Sequence, residues 1–296
     1  MENKLNVALV GVGRWGQKLA KVLDSQADLL YICHNGSTKS AEAVTLYPET
    51  VSTVDYHKIL ADEAVDAVFI ATPTATHFEL AMKALQAKKH VFIEKPGTES
   101  YEDLEKLTIV AKEQEVKLAI GYVFVHHPVL KKILELIGSS DVGHVIFEWN
   151  KLGTFTDDPI LHFLCHEIAI ANALGISGNP QIDLEQQINV SISGKDILVY
   201  EMFWGDLDVH IHFNRVSKTK RKAVTIQLND GRLYVWENDE LLYWDTETLF
   251  PIQLPKTTAL EEEVRDFLGA IQEDRKPKTD GQFGLDVWKV IDFIRS

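Results

Sequence analysis

Three glycines near the start of the chain carry the first chemical signal. Gly11, Gly13 and Gly16 follow the apolar run at 7–10 and precede apolar residues at helical spacing. A strand, a glycine-rich turn and a helix in this order bring backbone N–H groups and the positive end of a helix close to a pyrophosphate. The spacing therefore predicts a dinucleotide site, whereas the same glycines without this context would predict only a tight turn.

The end of the second predicted strand decides between the two nicotinamide dinucleotides. A carboxylate at this position binds the adenosine 2′-hydroxyl and repels a 2′-phosphate. This chain has His34 and Asn35 there, followed by Ser37 and Lys39. Hydrogen-bond donors and a positive charge without an acid favour a 2′-phosphate, so we expect NADP rather than NAD. Asn35 could also bind a 2′-hydroxyl, which leaves NAD as the alternative.

A second group with possible chemistry lies at the end of a later apolar strand. It consists of Glu94, Lys95 and Pro96. In a doubly wound sheet, ligands bind at the carboxyl ends of the strands. A lysine placed there can polarise a hydroxyl or carbonyl oxygen, or move its proton. The alternative is a solvent-exposed ion pair between Glu94 and Lys95, and the residues alone leave both interpretations open.

Three segments, in their order along the chain, resemble the glucose–fructose oxidoreductase / inositol dehydrogenase / MocA family. They are residues 11–16, 71–77 and 87–96. Two further segments, 121–129 and 260–281, resemble the branch of this family that acts on nucleotide sugars and related sugar acids. The likeness covers nearly the whole chain, and the Glu-Lys-Pro element is its most specific part.

The resemblance implies hydride transfer between C4 of the nicotinamide and a carbon of a sugar, polyol or nucleotide sugar. The residues predicted to contact the cofactor are Gly11, Val12, Gly13, Arg14, Trp15, Gly16, His34, Asn35, Ser37, Thr72, Pro73, Thr74, His77, Glu94 and Lys95. Lys95 is also predicted to be catalytic, since the resemblance assigns the proton of the substrate hydroxyl to this lysine and to an Asp-x-x-x-His pair.

His166 matches the histidine of that pair, but His162 stands where the aspartate is expected. A histidine suits proton transfer because its ordinary pKa lies near neutrality. An aspartate would orient His166 and favour its charged form, whereas His162 carries no fixed negative charge. We predict that Lys95 and His166 are catalytic with His162 assisting, and that the proton chemistry is retuned or turnover is lost.

Two histidines four residues apart on a helix also have the spacing of metal ligands. No third ligand is evident beside His162 and His166, and the resemblance explains His166 without a metal, so we expect no metal.

Tyr122, His126 and His127 are predicted to contact substrate or line the domain junction. For at least one of His126 and His127 we expect packing or solvation instead.

The wider sequence predicts two domains. Residues 1–121 alternate short apolar runs with amphipathic segments, which is the pattern of a Rossmann doubly wound parallel sheet that binds NAD(P). Residues 122–296 predict an α+β domain for substrate binding and oligomerisation, with a large open antiparallel sheet packed on helices. The last helix, 282–296, could pack back on the first domain.

One predicted strand of the second domain suggests self-association. In 207–213 the polar residues Asp208, His210 and His212 share one face and alternate with apolar residues. The preceding strand, 197–204, is apolar on both faces. A sheet whose second face is partly apolar often buries that face against another subunit, so we expect a homodimer or homotetramer.

The composition narrows the partners. The 296 residues include 30 basic and 44 acidic side chains, for a formal net charge of −14, which repels nucleic acid and anionic membranes. The basic run 218–222 is predicted to be a solvated hairpin without function. The 2 cysteines have no metal-type spacing, and no signal-type apolar segment follows the N-terminus, so we expect a cytoplasmic protein whose partner is a small molecule.

Three functions remain open on the sequence. The preferred one is an NAD(P)-dependent oxidoreductase acting on the CH–OH group of a sugar, polyol or nucleotide sugar. The second is a cofactor-binding sensor or regulatory protein without turnover, for which His162 is the motivating residue. The third is a lyase or hydrolase that uses bound cofactor only transiently.

Overall fold

The computed structural model describes residues 4–138, 140–152, 158–190, 196–244 and 247–296. These residues form two compact units. The first comprises Met1–Val123 and Ala259–Trp288, and the second comprises Phe124–Thr258 and Lys289–Ser296.

A parallel sheet of six strands forms the centre of the first unit. The strands are β1 Asn6–Val10, β2 Asp28–Cys33, β3 Val51–Thr53, β4 Ala67–Ile70, β5 His90–Glu94 and β6 Leu118–Gly121. The helices between them are α1 Gly16–Gln26, α2 Thr38–Val44, α3 Tyr56–Ala61, α4 His77–Gln86 and α5 Tyr101–Glu113. The spatial order β3-β2-β1-β4-β5-β6 places the switch point between β1 and β4 and confirms the predicted Rossmann topology.

The apolar strands of this sheet form as predicted because they are buried on both faces, as in β4 and β6, where every residue is buried. The elements α2, β3 and α3 were not predicted. They contain 7, 3 and 6 residues, too few for an apolar period to emerge.

An eight-stranded sheet and two helices form most of the second unit. The helices are α6 Pro128–Ile137 and α7 Cys165–Ala173, the latter preceded by a π-helical turn, Ile160–Leu164. The strands are β7 Val142–Asn150, β8 Gln181–Ile188, β9 Ile197–Trp204, β10 Leu207–Asn214, β11 Arg221–Leu228, β12 Leu233–Glu237, β13 Glu240–Trp244 and β14 Leu249–Ile252. Their spatial order is β14-β13-β12-β11-β7-β10-β9-β8.

This sheet differs from the predicted antiparallel sheet at its centre. β7 lies between β11 and β10 and runs parallel to β10, so the sheet is mixed. The edge strands β8 and β14 were also missed. β8 is mostly exposed and polar, and β14 carries Pro251, so neither shows the buried alternation by which a strand is recognised.

Two closing helices are α8 Ala259–Gln272 and α9 Gly281–Arg295, and the first unit includes all of α8 and the part of α9 that ends at Trp288. The ring of Phe267 on α8 packs 5.4 Å from that of Phe69 and 5.8 Å from that of Phe92, in the core of the parallel sheet. The prediction placed everything from residue 122 onward in the second domain, with only 282–296 able to return. In the structure the returning segment begins at residue 259, because α8 supplies apolar residues to the core.

The longest helix in the described ranges is α9, with 15 residues. None of the helices there is long and apolar enough to cross a membrane.

Candidate functional site

A cavity of about 660 Å³ opens at the carboxyl ends of β1, β2 and β4, where the strand order reverses. Its volume is in the range of small-molecule sites. Ten of the residues predicted to contact the cofactor line it: Gly11, Val12, Gly13, Arg14, Trp15, His34, Asn35, Ser37, Thr72 and Pro73. Further lining residues that the sequence did not single out include Cys33, Ser40 and Tyr56.

Glycine stands at positions 11, 13 and 16 of the turn for different structural reasons. Gly11 has a φ of +94°, and a Cβ there would lie 2.7 Å from the carbonyl oxygen of Ala71. A Cβ on Gly16 would collide with the carbonyl oxygen of Gly11. Around Gly13, by contrast, nothing lies within 4 Å of a Cβ. The fold therefore requires glycine at positions 11 and 16, whereas the open space at Gly13 fits a pyrophosphate.

The end of the cavity that is predicted to hold the adenosine lies after β2. Oδ1 of Asn35 accepts hydrogen bonds from the Ser37 amide at 3.1 Å and the Ser40 hydroxyl at 3.0 Å, so the Asn35 amide nitrogen remains as a donor. The charged residues among those lining the cavity are Arg14 and Lys39, and no carboxylate is among them. This end is therefore electrostatically suited to an anionic group.

Five residues predicted to contact the cofactor do not line the cavity, namely Gly16, Thr74, His77, Glu94 and Lys95. His77 is 1% exposed, and its ring nitrogens lie 2.8 Å from the carbonyl oxygen of Thr72 and 3.1 Å from that of Gly97. Burial lowers the pKa of His77. The predicted cofactor contact stays a prediction, and in the structure this side chain holds the Thr72 loop from inside the protein.

Glu94 is buried rather than exposed, so the interpretation of Glu94 and Lys95 as a solvent-exposed ion pair is wrong. Its carboxylate accepts a hydrogen bond from the indole N–H of Trp15 in the glycine-rich turn. Burial raises the pKa of Glu94 to about 7, opposed by this hydrogen bond and by the charge of Lys95. The turn at half-buried Lys95 is held by a 3.1 Å hydrogen bond from Trp288 to the carbonyl oxygen of Pro96.

A second buried carboxyl group, that of Glu263 on α8, affects Glu94 electrostatically. Both its oxygens are buried and have no hydrogen-bond partner among the described residues. Burial, and then the nearby Glu94 and Asp266, raise the pKa of Glu263 well above its usual range. Two such groups do not both ionise readily, so the pair retains a proton near neutral pH. In the sequence, nothing distinguishes Glu263 from its acidic neighbours.

In the second unit, His166 lies in an aromatic cluster. It is 6% exposed, and its ring centroid is 4.9 Å from that of Phe124 and 6.0 Å from that of Trp149. His162 lies in the π-helical turn before α7, so the predicted continuous α-helix with both histidines on one face is corrected. Such π-helical turns occur frequently at functional sites. In the described ranges, no third metal-type side chain completes a group with His162 and His166.

The residues predicted to contact substrate are all buried. Tyr122 has no exposed surface and packs against Phe283, with ring centroids 5.9 Å apart. His126 is 4% exposed. His127 accepts the amide N–H of Val129 at the start of α6, and its ring centroid lies 4.7 Å from that of Trp236. The packing alternative therefore describes His127.

Lys222 was missed by the sequence analysis. It belongs to the basic run read as a solvated hairpin, but it lies in β11 with a buried Nζ that has no hydrogen-bond partner in the described part of the chain. This Nζ lies over the ring of Phe124 and 4.5 Å from the ring centroid of Trp149, the two rings that pack on His166. Burial lowers the pKa of Lys222 to about 7, opposed by Glu167.

A period-two pattern could have located Lys222. It shares one face of β11 with Val224, Ile226 and Leu228, which are all buried. The cluster of basic residues before it hid this alternation.

The parallel sheet with a glycine-rich turn at its switch point, joined in one chain to a large mixed sheet, defines a two-unit α/β protein of the dinucleotide-binding class. Residues 5–122 match the family model GFO_IDH_MocA, described as an oxidoreductase family with an NAD-binding Rossmann fold. The chain matches this family over residues 5–122, which confirms the resemblance seen in the sequence. It is accordingly an oxidoreductase with an NAD-binding fold.

Characterised relatives match the chain over most of its length. UDP-N-acetylglucosamine 3-dehydrogenase of Acidithiobacillus ferrooxidans is 28% identical over 96% of this chain and 94% of its own. D-xylose 1-dehydrogenase (NADP(+)) of Haloarcula marismortui is 24% identical over 96% of this chain and 88% of its own. The match to an uncharacterized oxidoreductase of Streptococcus pneumoniae, 27% identical over 77% of this chain, spans 63% of that protein.

The fold is also that of a solved relative. A crystal structure of the Acidithiobacillus ferrooxidans UDP-N-acetylglucosamine 3-dehydrogenase superposes with a TM-score of 0.86 at 25% identity, covering 98% of this chain and 99% of that one.

Replacing Gly13 by Ala tests the reason for the middle glycine. The added methyl meets no protein atom, so the variant is expected to unfold at the temperature of the wild type. The methyl would occupy the space of the pyrophosphate, and we expect cofactor affinity, measured by fluorescence titration, to fall by about tenfold or more. Gly16→Ala is the matched control, because its collision with Gly11 should lower the unfolding temperature. Unchanged affinity in Gly13→Ala would contradict the site.

Replacing Glu263 by Gln tests the buried carboxyl pair. A raised pKa in the folded state means that stability is greatest below pH about 4.5 and falls as the pH rises through the folded pKa values, the one for Glu94 being about 7. We expect Glu263→Gln to gain free energy of unfolding at pH 8 relative to pH 5, by an amount on the order of 1–3 kcal/mol.

Urea denaturation measures the free energy of unfolding of the variant and the wild type at the two pH values. Comparing the two pH values cancels any effect of the amide on stability that does not depend on pH. Glu262→Gln is the control, because Glu262 pairs with Arg265 at the surface, and such pairs contribute little. A change in Glu263→Gln that is the same at both pH values would contradict the shared proton.

Proposed function

We propose that the chain is an NADP-preferring dehydrogenase that transfers a hydride between the nicotinamide and a hydroxyl-bearing carbon of a sugar, polyol or nucleotide sugar. The observation that carries the proposal is the cavity at the switch point. The fold itself does not require glycine at position 13, yet Gly13 leaves open space there. Two relatives that match the chain over most of its length are named as dehydrogenases of a nucleotide sugar and of a sugar, which supports the substrate class.

The residues lining the cavity fit a nicotinamide dinucleotide. Gly11, Gly13 and the N-terminus of α1 would hold the pyrophosphate, and Asn35 and Lys39 would hold the adenosine ribose with its 2′-phosphate. When bound, the nicotinamide supplies or accepts the hydride. The protein must then hold and move the proton of the substrate hydroxyl.

Lys95 and His166 are proposed for this proton. Oxidation of a CH–OH group releases a hydride to the nicotinamide and a proton to a protein side chain. Lys95 follows β5 directly after Glu94, whose raised pKa keeps a second exchangeable proton nearby. His166 is buried against Phe124, and His162 precedes it on the π-helical turn, where we propose that it assists. Perturbed pKa values such as those of Glu94 and Lys222 concentrate at functional sites, which supports an enzyme.

The variants Lys95→Ala and His166→Ala test these roles. Loss of a general acid or base costs about 10²–10⁴-fold in rate, so we expect turnover to fall by this factor in each variant while cofactor affinity is retained. The assay follows nicotinamide absorbance with a panel of keto sugars. Lys83→Ala, at an exposed pair with Glu79, is the control and should keep full activity. Full activity in both variants would contradict the proposed roles of Lys95 and His166 in proton transfer.

The cofactor preference is tested at Lys39. With Arg14 it supplies positive charge to the cavity, and no carboxylate lines this space. We expect Lys39→Ala to weaken NADPH binding by about tenfold and to leave NADH binding unchanged, because NADPH alone carries the 2′-phosphate. Lys21→Ala, an exposed residue of α1 outside the lining residues, is the control. A wild-type protein that binds NADH more tightly than NADPH would contradict the preference.

A cofactor-binding protein without turnover is the second candidate, favoured by His162 at the position where the resemblance implies an aspartate. It predicts tight cofactor binding with no redox change across the substrate panel, in the wild type as in His166→Ala. The homodimer or homotetramer expected through the second unit's sheet, and the cytoplasmic location, stay predictions.

A further inference from the structure

Three side chains that ligate metals meet on the sheet of the second unit. β7 and β10 are adjacent and parallel, with His144 directly opposite Asp208. His210 follows Asp208 by two residues, so it lies on the same face. Nδ1 of His144 is 2.9 Å from Oδ2 of Asp208, and Nε2 of His210 is 3.0 Å from Oδ1. One ligand atom from each of the three residues lies within 4.8 Å of the other two.

One atom of this cluster is incompletely satisfied. Oδ1 of Asp208 is buried and accepts no hydrogen bond from the described residues, although Nε2 of His210 lies 3.0 Å away. A buried carboxylate oxygen without a partner is unfavourable, and a cation bound to it would remove this cost. Glu201, which lies opposite His210 on β9, adds a further negative charge to the neighbourhood.

The ligand types indicate which cation would bind. Two imidazoles and a carboxylate are ligands of Zn²⁺ and of the neighbouring divalent transition metals, whereas Mg²⁺ and Ca²⁺ prefer oxygen ligands alone. In a tetrahedral zinc site the ligand atoms lie roughly 3.3 Å apart, close to the spacing found here. The side chains of His144, Asp208 and His210 are 26%, 31% and 37% exposed, so an ion can enter from solvent and keep a water ligand.

The strands hold these ligands in place before any ion arrives. β7 is paired on its other side with β11, and β10 with β9, so all three ligands come from interior strands of the sheet. Only side-chain rotations separate the present arrangement from coordination, and such preorganisation favours binding.

We propose that His144, Asp208 and His210 form a binding site for one divalent transition-metal ion of the Zn²⁺ type, which joins β7 to β10. The proposal is independent of the dehydrogenase activity, because none of the residues assigned to cofactor or proton transfer takes part.

Equilibrium dialysis of the full chain against Zn²⁺, after removal of any affinity tag and treatment with EDTA, tests the site. We expect one ion per chain, and a Co²⁺ complex with the visible absorption of a low-symmetry site. His144→Ala, Asp208→Asn and His210→Ala should each weaken Zn²⁺ binding by at least about tenfold. His212→Ala is the matched control, because His212 lies on the same strand and face but outside the cluster, and it should bind as the wild type does.

Thermal unfolding gives a second readout that also shows that each variant is folded. Zn²⁺ should raise the unfolding temperature of the wild type and of His212→Ala, and should leave that of the three ligand variants unchanged. Equal Zn²⁺ binding by wild type and Asp208→Asn would overturn the proposal, as would an equal loss in His212→Ala. A wild type that binds no Zn²⁺ would overturn the proposal and would show that the cluster is only two histidines beside a carboxylate.

Discussion

The close packing of Gly16 on the carbonyl group of Gly11 is the constraint on which the candidate site depends. It allows α1 to begin directly after β1, so that the free N–H groups of the helix face the carboxyl end of the sheet. It also places Trp15 where its indole reaches the buried carboxylate of Glu94 at the end of β5. The hydrogen bond from Trp15 to Glu94 thereby joins the glycine-rich turn to the strand that ends just before Lys95.

Buried ionisable groups distinguish both units from an ordinary apolar core. Glu94 and Glu263 lie in the first, and Lys222 lies in the second between two aromatic rings. Each costs free energy, because the charged form loses water without full compensation. Ionisable groups that are buried at such a cost often have a functional role. Here Glu94 lies beside Lys95, and Lys222 lies against the rings that pack on His166.

The sequence predicted what local pattern and short-range geometry determine. The continuous apolar strands, the glycine turn and ten of the lining residues follow from burial on both faces and from the needs of a pyrophosphate. It did not predict the parallel pairing of β7 with β10, or the return of α8 to the first sheet, because both depend on contacts between distant parts of the chain. The burial of His77 was missed for the same reason, whereas that of Lys222 was missed because the basic residues before it hid a local alternation.

The proposed function requires that this protein moves a hydride and does not merely bind a dinucleotide. Mass spectrometry of products formed from reduced cofactor carrying deuterium at C4 of the nicotinamide tests it most directly. With a panel of keto sugars, we expect deuterium on the new CH–OH carbon of a product, and far less of it when Lys95 is replaced by Ala. Cofactor that binds tightly while every substrate is recovered without deuterium would contradict it.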